Sequence, residues 1–70
     1  MNAHASTQSS FELRFQSLFD GGRALAFPCD AEGHVEFDSL SERGRTNYLH
    51  ARAEVGREFA FPAVQLALSH

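Results

Sequence analysis

The sequence predicts an α+β fold: a three-stranded antiparallel β-meander, curled as a hairpin sheet, packed against one long C-terminal α-helix. Three observations predict it. Apolar residues alternate with polar ones between Phe11 and Phe37, glycine-containing turn signals break that alternation twice, and the apolar spacing becomes helical after Ser39. Seventy residues make one domain at most.

Taken in order, Met1 to Ser10 has no large apolar residue after the initiator Met and is rich in Ser, Ala, Asn, Gln and Thr. Such a segment buries too little surface to offset the entropy of ordering, so residues 1–10 are expected to form a disordered N-terminal tail. A single ordered domain then spans residues 11–62, and residues 63–70 form an apolar C-terminal segment.

Phe11, Leu13 and Phe15 alternate with Glu12, Arg14 and Gln16, the period of a half-buried strand. Asp20-Gly21-Gly22 signals a turn, after which Leu25, Phe27 and Cys29 form a second alternating set. Directly opposed residues of an antiparallel pair share a face. A three-residue loop, Asp20 to Gly22, therefore pairs Phe15 with Phe27 and Leu13 with Cys29. The same parity leaves Ala31, Glu32 and Gly33 as the second loop, pairs Cys29 with Val35, and makes Val35 and Phe37 a third strand. Gly22 and Gly33 fall where such loops favour a left-handed residue. Pro28 is the misfit, since a proline in a middle strand removes a ladder hydrogen bond.

Ser39, with Glu42 three residues on, reads as a capping box opening the helix. From Leu40, positions 44, 48, 51, 55 and 59 recur at helical spacing, and Pro62 ends the element. Gly44 is a poor helix former within the first turns. The expected core is Phe11, Leu13, Phe15, Leu25, Phe27, Val35, Phe37, Leu40, Tyr48, Val55 and Phe59. Beyond Pro62, Val64, Leu66 and Leu68 alternate with Ala63, Gln65 and Ala67. That pattern suits a short edge strand, a strap across the core, or a partner-binding tail.

About sixty residues is near the lower limit for independent folding, and domains this small usually carry a disulfide, a metal or a partner subunit. Cys29 is the sole cysteine, which excludes an internal disulfide and suits a reducing compartment. Oligomerisation gains weight by elimination. With neither a secretory leader pattern nor a membrane-length apolar run, a cytoplasmic protein is expected.

The constellations that carry chemistry are sparse. Cys29, His34 and His50 lack the tight ligand pairs of a zinc site. Asp30, Glu32, Glu36 and Asp38 lack the spacing of a calcium loop. Activating Cys29 or a serine would need a histidine, an orienting group and a pocket for which so short a chain leaves little room. The expectation is no enzyme, no catalytic or metal residue, no cofactor, no small-molecule substrate and no membrane.

Two surfaces remain. Arg43, Arg45, Arg52 and Arg57 are candidate nucleic-acid contacts, but they spread around the helix among glutamates. The formal net charge is −3, and nucleic-acid helices show a concentrated basic face. Leu49, Ala53, Gly56 and Ala60 form a second helical stripe of mostly small residues, suited to close approach of another backbone. With Phe61, Val64, Leu66 and Leu68 they make the candidate interaction surface. The leading expectation is a small non-enzymatic protein–protein interaction or accessory module, self-associating as a homodimer or joined to another protein. The alternative is a small nucleic-acid-binding regulator using the helix arginines.

The residues Ala26-Phe27-Pro28-Cys29-Asp30, Gly33 and Val35, then Leu40 to Arg43, Asn47 to Leu49, Ala51-Arg52 and Val55 to Phe59, resemble a family of short uncharacterised bacterial proteins. The resemblance covers residues 11–60. It implies a bacterial cytosolic protein and carries no activity, ligand or catalytic residue with it.

Overall fold

Alternation in the first half of the chain does produce two paired strands. A computed structural model of the protein describes residues 10–67. In it, β1 (Phe11–Gln16) runs antiparallel to β2 (Ala24–Cys29), a single helix α1 spans Glu42–Ala53, and β3 (Ala63–Leu66) follows. A one-turn 3-10 helix, Phe37–Ser39, precedes α1. The sheet order is β2-β1-β3, with β3 antiparallel to β1. The fold is α+β, with three antiparallel strands and one helix among the described residues. Two expectations are corrected. The helix is mid-chain, not C-terminal, and the third strand comes from the C-terminal segment, not from Val35 to Phe37. The expected N-terminal tail, apart from Ser10, lies outside the described residues.

The predicted parity of β1 and β2 holds, but the register is two residues shorter. Phe15 opposes Leu25, Leu13 opposes Phe27, and Phe11 opposes Cys29. The Ser17 amide donates to the Arg23 carbonyl (3.0 Å), so the loop is five residues, 18–22. Polar side chains hold it: Ser17 Oγ accepts from the amides of Phe19 (3.2 Å) and Asp20 (3.0 Å). Gln16 Nε2 donates to the carbonyls of Gly21 (3.1 Å) and Arg23 (2.8 Å). Gly22 is not left-handed in this longer loop, contrary to expectation.

The second turn forms as the parity argument requires. Asp30 N donates to His34 O (3.1 Å), Gly33 N to Asp30 O (3.0 Å), and Gly33 takes a φ of 90°. Cys29 bridges Val35, yet no third strand follows. Pro28 is the physical reason. In an antiparallel ladder hydrogen-bonded and non-bonded pairs alternate. Since Asp30 and His34 are bonded, the next bonded pair would be Pro28 with Glu36, and Pro28 has no N–H to give. The same alternation, counted from Ser17 and Arg23, makes Pro28 opposite Glu12 a non-bonded pair. Its missing donor therefore faces away from β1, and the β1–β2 ladder is unharmed.

The helix starts later and ends earlier than its pattern suggests. Ser41, not Ser39, is the N-cap, and its Oγ accepts from the Gly44 amide at 3.0 Å. Ser39 instead closes the 3-10 turn. A Cβ on Gly44 would lie 3.2 Å from Ser41 Oγ and 3.3 Å from Leu40 Cβ, so glycine gives the cap its room. At the other end, Gly56 adopts a left-handed φ of 88° and its amide donates to Phe59 O (2.7 Å). That reversal, open to glycine without a Cβ penalty, ends the helical path before Val55.

Phe15 sits at the centre of the core with 0% exposure. Its ring meets those of Phe27, Tyr48 and Phe59 edge-on, at centroid distances of 5.9, 6.4 and 6.5 Å. Leu13, Cys29 and Ala51 are also buried, and Phe11, Leu25, Val35, Leu40, Tyr48 and Val55 pack around them. Of the expected core only Phe37 stays outside, at 36% exposure. The helix packs against β2, which leaves the β3 side of the same sheet face less covered. No helix of the described residues is long and apolar enough to cross a membrane.

Candidate functional site

The small-residue stripe does not survive as a helix face. Leu49 is exposed on α1 and Ala53 is its last residue, but Gly56 and Ala60 lie past the helix end. Ala60 is half-buried, and its amide donates to Gln16 O (2.8 Å). The left-handed Gly56 carries the chain back towards the sheet, which separates four residues that helical spacing placed in one line. The C-terminal segment folds onto its own chain as the edge strand β3. Leu68 lies outside the described residues.

What the C-terminal segment builds is an open, uncharged sheet edge. Leu66 opposes Phe11 and Val64 opposes Leu13, so both project on the core side of the sheet. Val64 is partly shielded, since the second hairpin passes close enough that a Cβ on Gly33 would lie 3.1 Å from Val64 Cγ2. Leu66 remains 67% exposed. The Ala67 amide donates to Ser10 O (2.9 Å), making residues 10 and 67 a bonded pair. By alternation, Ala63 and Gln65 bond to β1, while the backbone groups of Val64 and Leu66 face outward. Phe61 to Ala67 contains no charged residue, so the charges that commonly blunt an edge strand are missing.

Phe61 is displayed beside this edge. Arg14 pairs with Ala63 and Ser17 with Phe59, so the returning segment carries one extra residue over that span. Such a bulge bends a strand and re-aims its side chains. Phe61 is 84% exposed. The loop before β2 adds Phe19, 82% exposed, and the half-exposed Leu18. Sequence reasoning missed this pair. Its signal was the break in alternation at Leu18-Phe19 immediately before Asp20-Gly21-Gly22.

The four candidate arginines divide, and Arg57 lies in the turn past the end of α1, not on the helix as its spacing suggested. Arg45 donates from Nε to Phe37 O and from Nη2 to Asp38 O, both at 3.2 Å, and lies over the Phe37 ring. It therefore caps the 3-10 turn. Arg52 stands 5.9 Å over the Tyr48 ring. Arg43 and Arg57 are exposed and have no side-chain partner among the described residues.

Cys29, His34 and His50 do not converge on a common point among the described residues. Cys29 is a buried thiol whose pKa is raised, first by burial and then by Asp30 and Glu12. Its environment is that of a core residue, since the reactive form is the thiolate. His50 Nε2 lies 3.3 Å from Glu58 Oε1. The structure does gather Asp30, Glu32 and His34, whose donor atoms lie within 4.8 Å of one another. The turn accounts for this grouping. Asp30 Oδ1 accepts from the amides of Glu32 and His34, both at 2.9 Å, and Oδ2 lies 3.1 Å from His34 Nδ1.

No family model matches the chain, and no curated protein or solved structure matches it either. That is consistent with the resemblance to an uncharacterised family, and it leaves function to be argued from the surface.

Proposed function

We propose that the protein is a small, non-enzymatic interaction module of the bacterial cytoplasm that pairs through the outer edge of β3, self-associating as a homodimer. The observation that supports this is the uncharged edge at Val64 and Leu66. It offers outward backbone donors and acceptors together with an exposed leucine. A strand added there gains main-chain hydrogen bonds, and pockets for alternate side chains give the pairing selectivity. A second copy supplies such a strand by a two-fold antiparallel meeting of β3 with its own equivalent. Phe61 adds an exposed aromatic of the kind that dominates interface energetics. The lone unpaired cysteine suits the reducing interior.

Deleting residues 63–70 is a poor test, because β3 also covers part of the core. Leu66→Lys is better, since the side chain is exposed and an edge lysine opposes strand addition. Light scattering over a tenfold concentration range should show a dimer for the wild-type chain and a monomer for Leu66→Lys. A wild-type monomer throughout that range refutes self-association.

The alternative nucleic-acid reading loses support because Arg45 is used by the fold and Arg52 stacks on Tyr48. Of the four candidates, Arg43 and Arg57 remain fully available for phosphate, too few for a concentrated basic face.

A further inference from the structure

A chain of this length leaves little room for a pocket, yet the first hairpin loop, α1 and the turn after the helix together bound an open cleft of about 510 Å³. That volume lies within the range of about 300–1,000 Å³ typical of small-molecule sites. Its walls come from three separate parts of the chain: the loop around Phe19 to Arg23, the helix at Asn47 and His50, and the turn at Glu58 and Phe59.

The walls are held in place by hydrogen bonds within the chain. Ser17 Oγ and Gln16 Nε2 brace the loop, and the Leu18 amide donates to Glu58 O at 2.8 Å, tying loop and turn together. Across the cleft, His50 Nε2 lies 3.3 Å from Glu58 Oε1 and the imidazole edge meets the Phe59 ring at 6.1 Å. Leu25 and the buried Phe59 supply apolar lining, and the exposed Phe19 stands at the rim.

The polar groups carry both signs. Arg23 brings an exposed guanidinium that has no side-chain or backbone acceptor among the described residues. Asp20 and Glu58 bring carboxylates, and the Asn47 amide is likewise unengaged among the described residues. A plain anion would meet two carboxylates, and a plain cation would meet Arg23. A molecule bearing both charges on an aromatic body meets neither conflict. We infer that this cleft binds a small aromatic zwitterion of the α-amino acid class. Its carboxylate is taken by Arg23, its ammonium by the Asp20 and Glu58 side, and its ring by Leu25, Phe59 and Phe19. Arg suits the first role because its planar fork matches a carboxylate.

This site is separate from the β3 edge, so its test does not depend on self-association. The probe is L-phenylalanine, titrated into the full chain while amide NMR shifts are followed. Three controls each lack one element: L-phenylalanine amide lacks the carboxylate, 3-phenylpropanoate lacks the ammonium, and L-alanine lacks the ring. The expected result is saturable shifts at residues 17–25, 47–50 and 58–59, with each control at least about tenfold weaker, the size of one lost charge-assisted contact. Arg23→Gln should weaken L-phenylalanine by a similar factor and erase its advantage over L-phenylalanine amide, while its advantage over 3-phenylpropanoate persists. Arg23 is exposed, so this variant should keep the fold, which circular dichroism checks. An absence of saturable shifts up to millimolar L-phenylalanine overturns the inference. So does equal binding of the three aromatic compounds, which would reduce the cleft to an apolar contact.

Discussion

Replacing Phe15 by alanine removes the ring on which the two sides of the domain meet. Among the described residues Phe15 is the one large side chain fully withdrawn from solvent, and it touches aromatic rings from β2, α1 and the turn after the helix. Burying a phenylalanine and then deleting it costs about 3–5 kcal/mol, because neighbours relax only partly into the space. Three edge-on ring contacts disappear as well, each worth about 0.5–1.5 kcal/mol, partly overlapping that figure. A 70-residue chain has a total stability of roughly 3–10 kcal/mol, at about 0.05–0.15 kcal/mol per residue. Phe15→Ala therefore removes a large share of the stability, roughly a third to all of it, and is expected to shift the unfolding midpoint strongly downward. The assay is urea unfolding followed by circular dichroism, run at two protein concentrations because dimer formation would itself add stability. Phe37→Ala is the comparison: Phe37 is 36% exposed and touches only Tyr48 among the aromatic rings. Its loss should cost far less. If Phe15→Ala lowered stability by under about 1.5 kcal/mol, or no more than Phe37→Ala, the core would not be centred on Phe15 and the packing argument would fail.

Two further expectations follow from local chemistry. Ser41→Ala should lower stability by about 1 kcal/mol through loss of the cap to Gly44, while Ser39→Ala should stay within about 0.5 kcal/mol, as thermal unfolding will show; the reverse order would restore the capping box at Ser39. Asp30 has its pKa lowered below 3.8, chiefly by the amide of His34; burial opposes this, and the His34 side chain and the Glu32 amide assist it. A lowered folded-state pKa means stabilisation that is complete above the unfolded value and lost as pH falls through the folded one. The wild-type chain should thus lose stability below about pH 3.8 in a step that Asp30→Asn lacks, and identical acid profiles for the two would remove Asp30 from that role.

Much of the architecture was legible in local pattern. Alternation at Phe11, Leu13 and Phe15 and at Leu25, Phe27 and Cys29 determined which faces are buried, because side-chain direction in a strand has a period of two. The loop Ala31 to Gly33, with its left-handed glycine and the Cys29–Val35 pairing, also followed from parity. Loop length at the first hairpin did not, because registers two apart satisfy parity equally. Ser17 and Gln16 chose between them by hydrogen bonds that spacing does not display.

Other features were decided only when distant segments met. Helical periodicity ran on through Val55 and Phe59, and both do pack against the core. They reach it through the Gly56 reversal, since an apolar residue fits the same core from a turn as from a helix. That reversal also dispersed the stripe of Leu49, Ala53, Gly56 and Ala60. The third strand was a competition between Val35 to Phe37 and Val64 to Leu66. Pro28 closed the outer edge of β2 to a continuing ladder, whereas β1 still had an open edge with every donor in place. Sequence by itself set the apolar parity, the core residues apart from Phe37, and the presence of a helix, because these depend on near neighbours. The identity of the third strand, the end of the helix and the cleft beside Arg23 depend on contacts between residues far apart in the chain, and only the tertiary structure decided them.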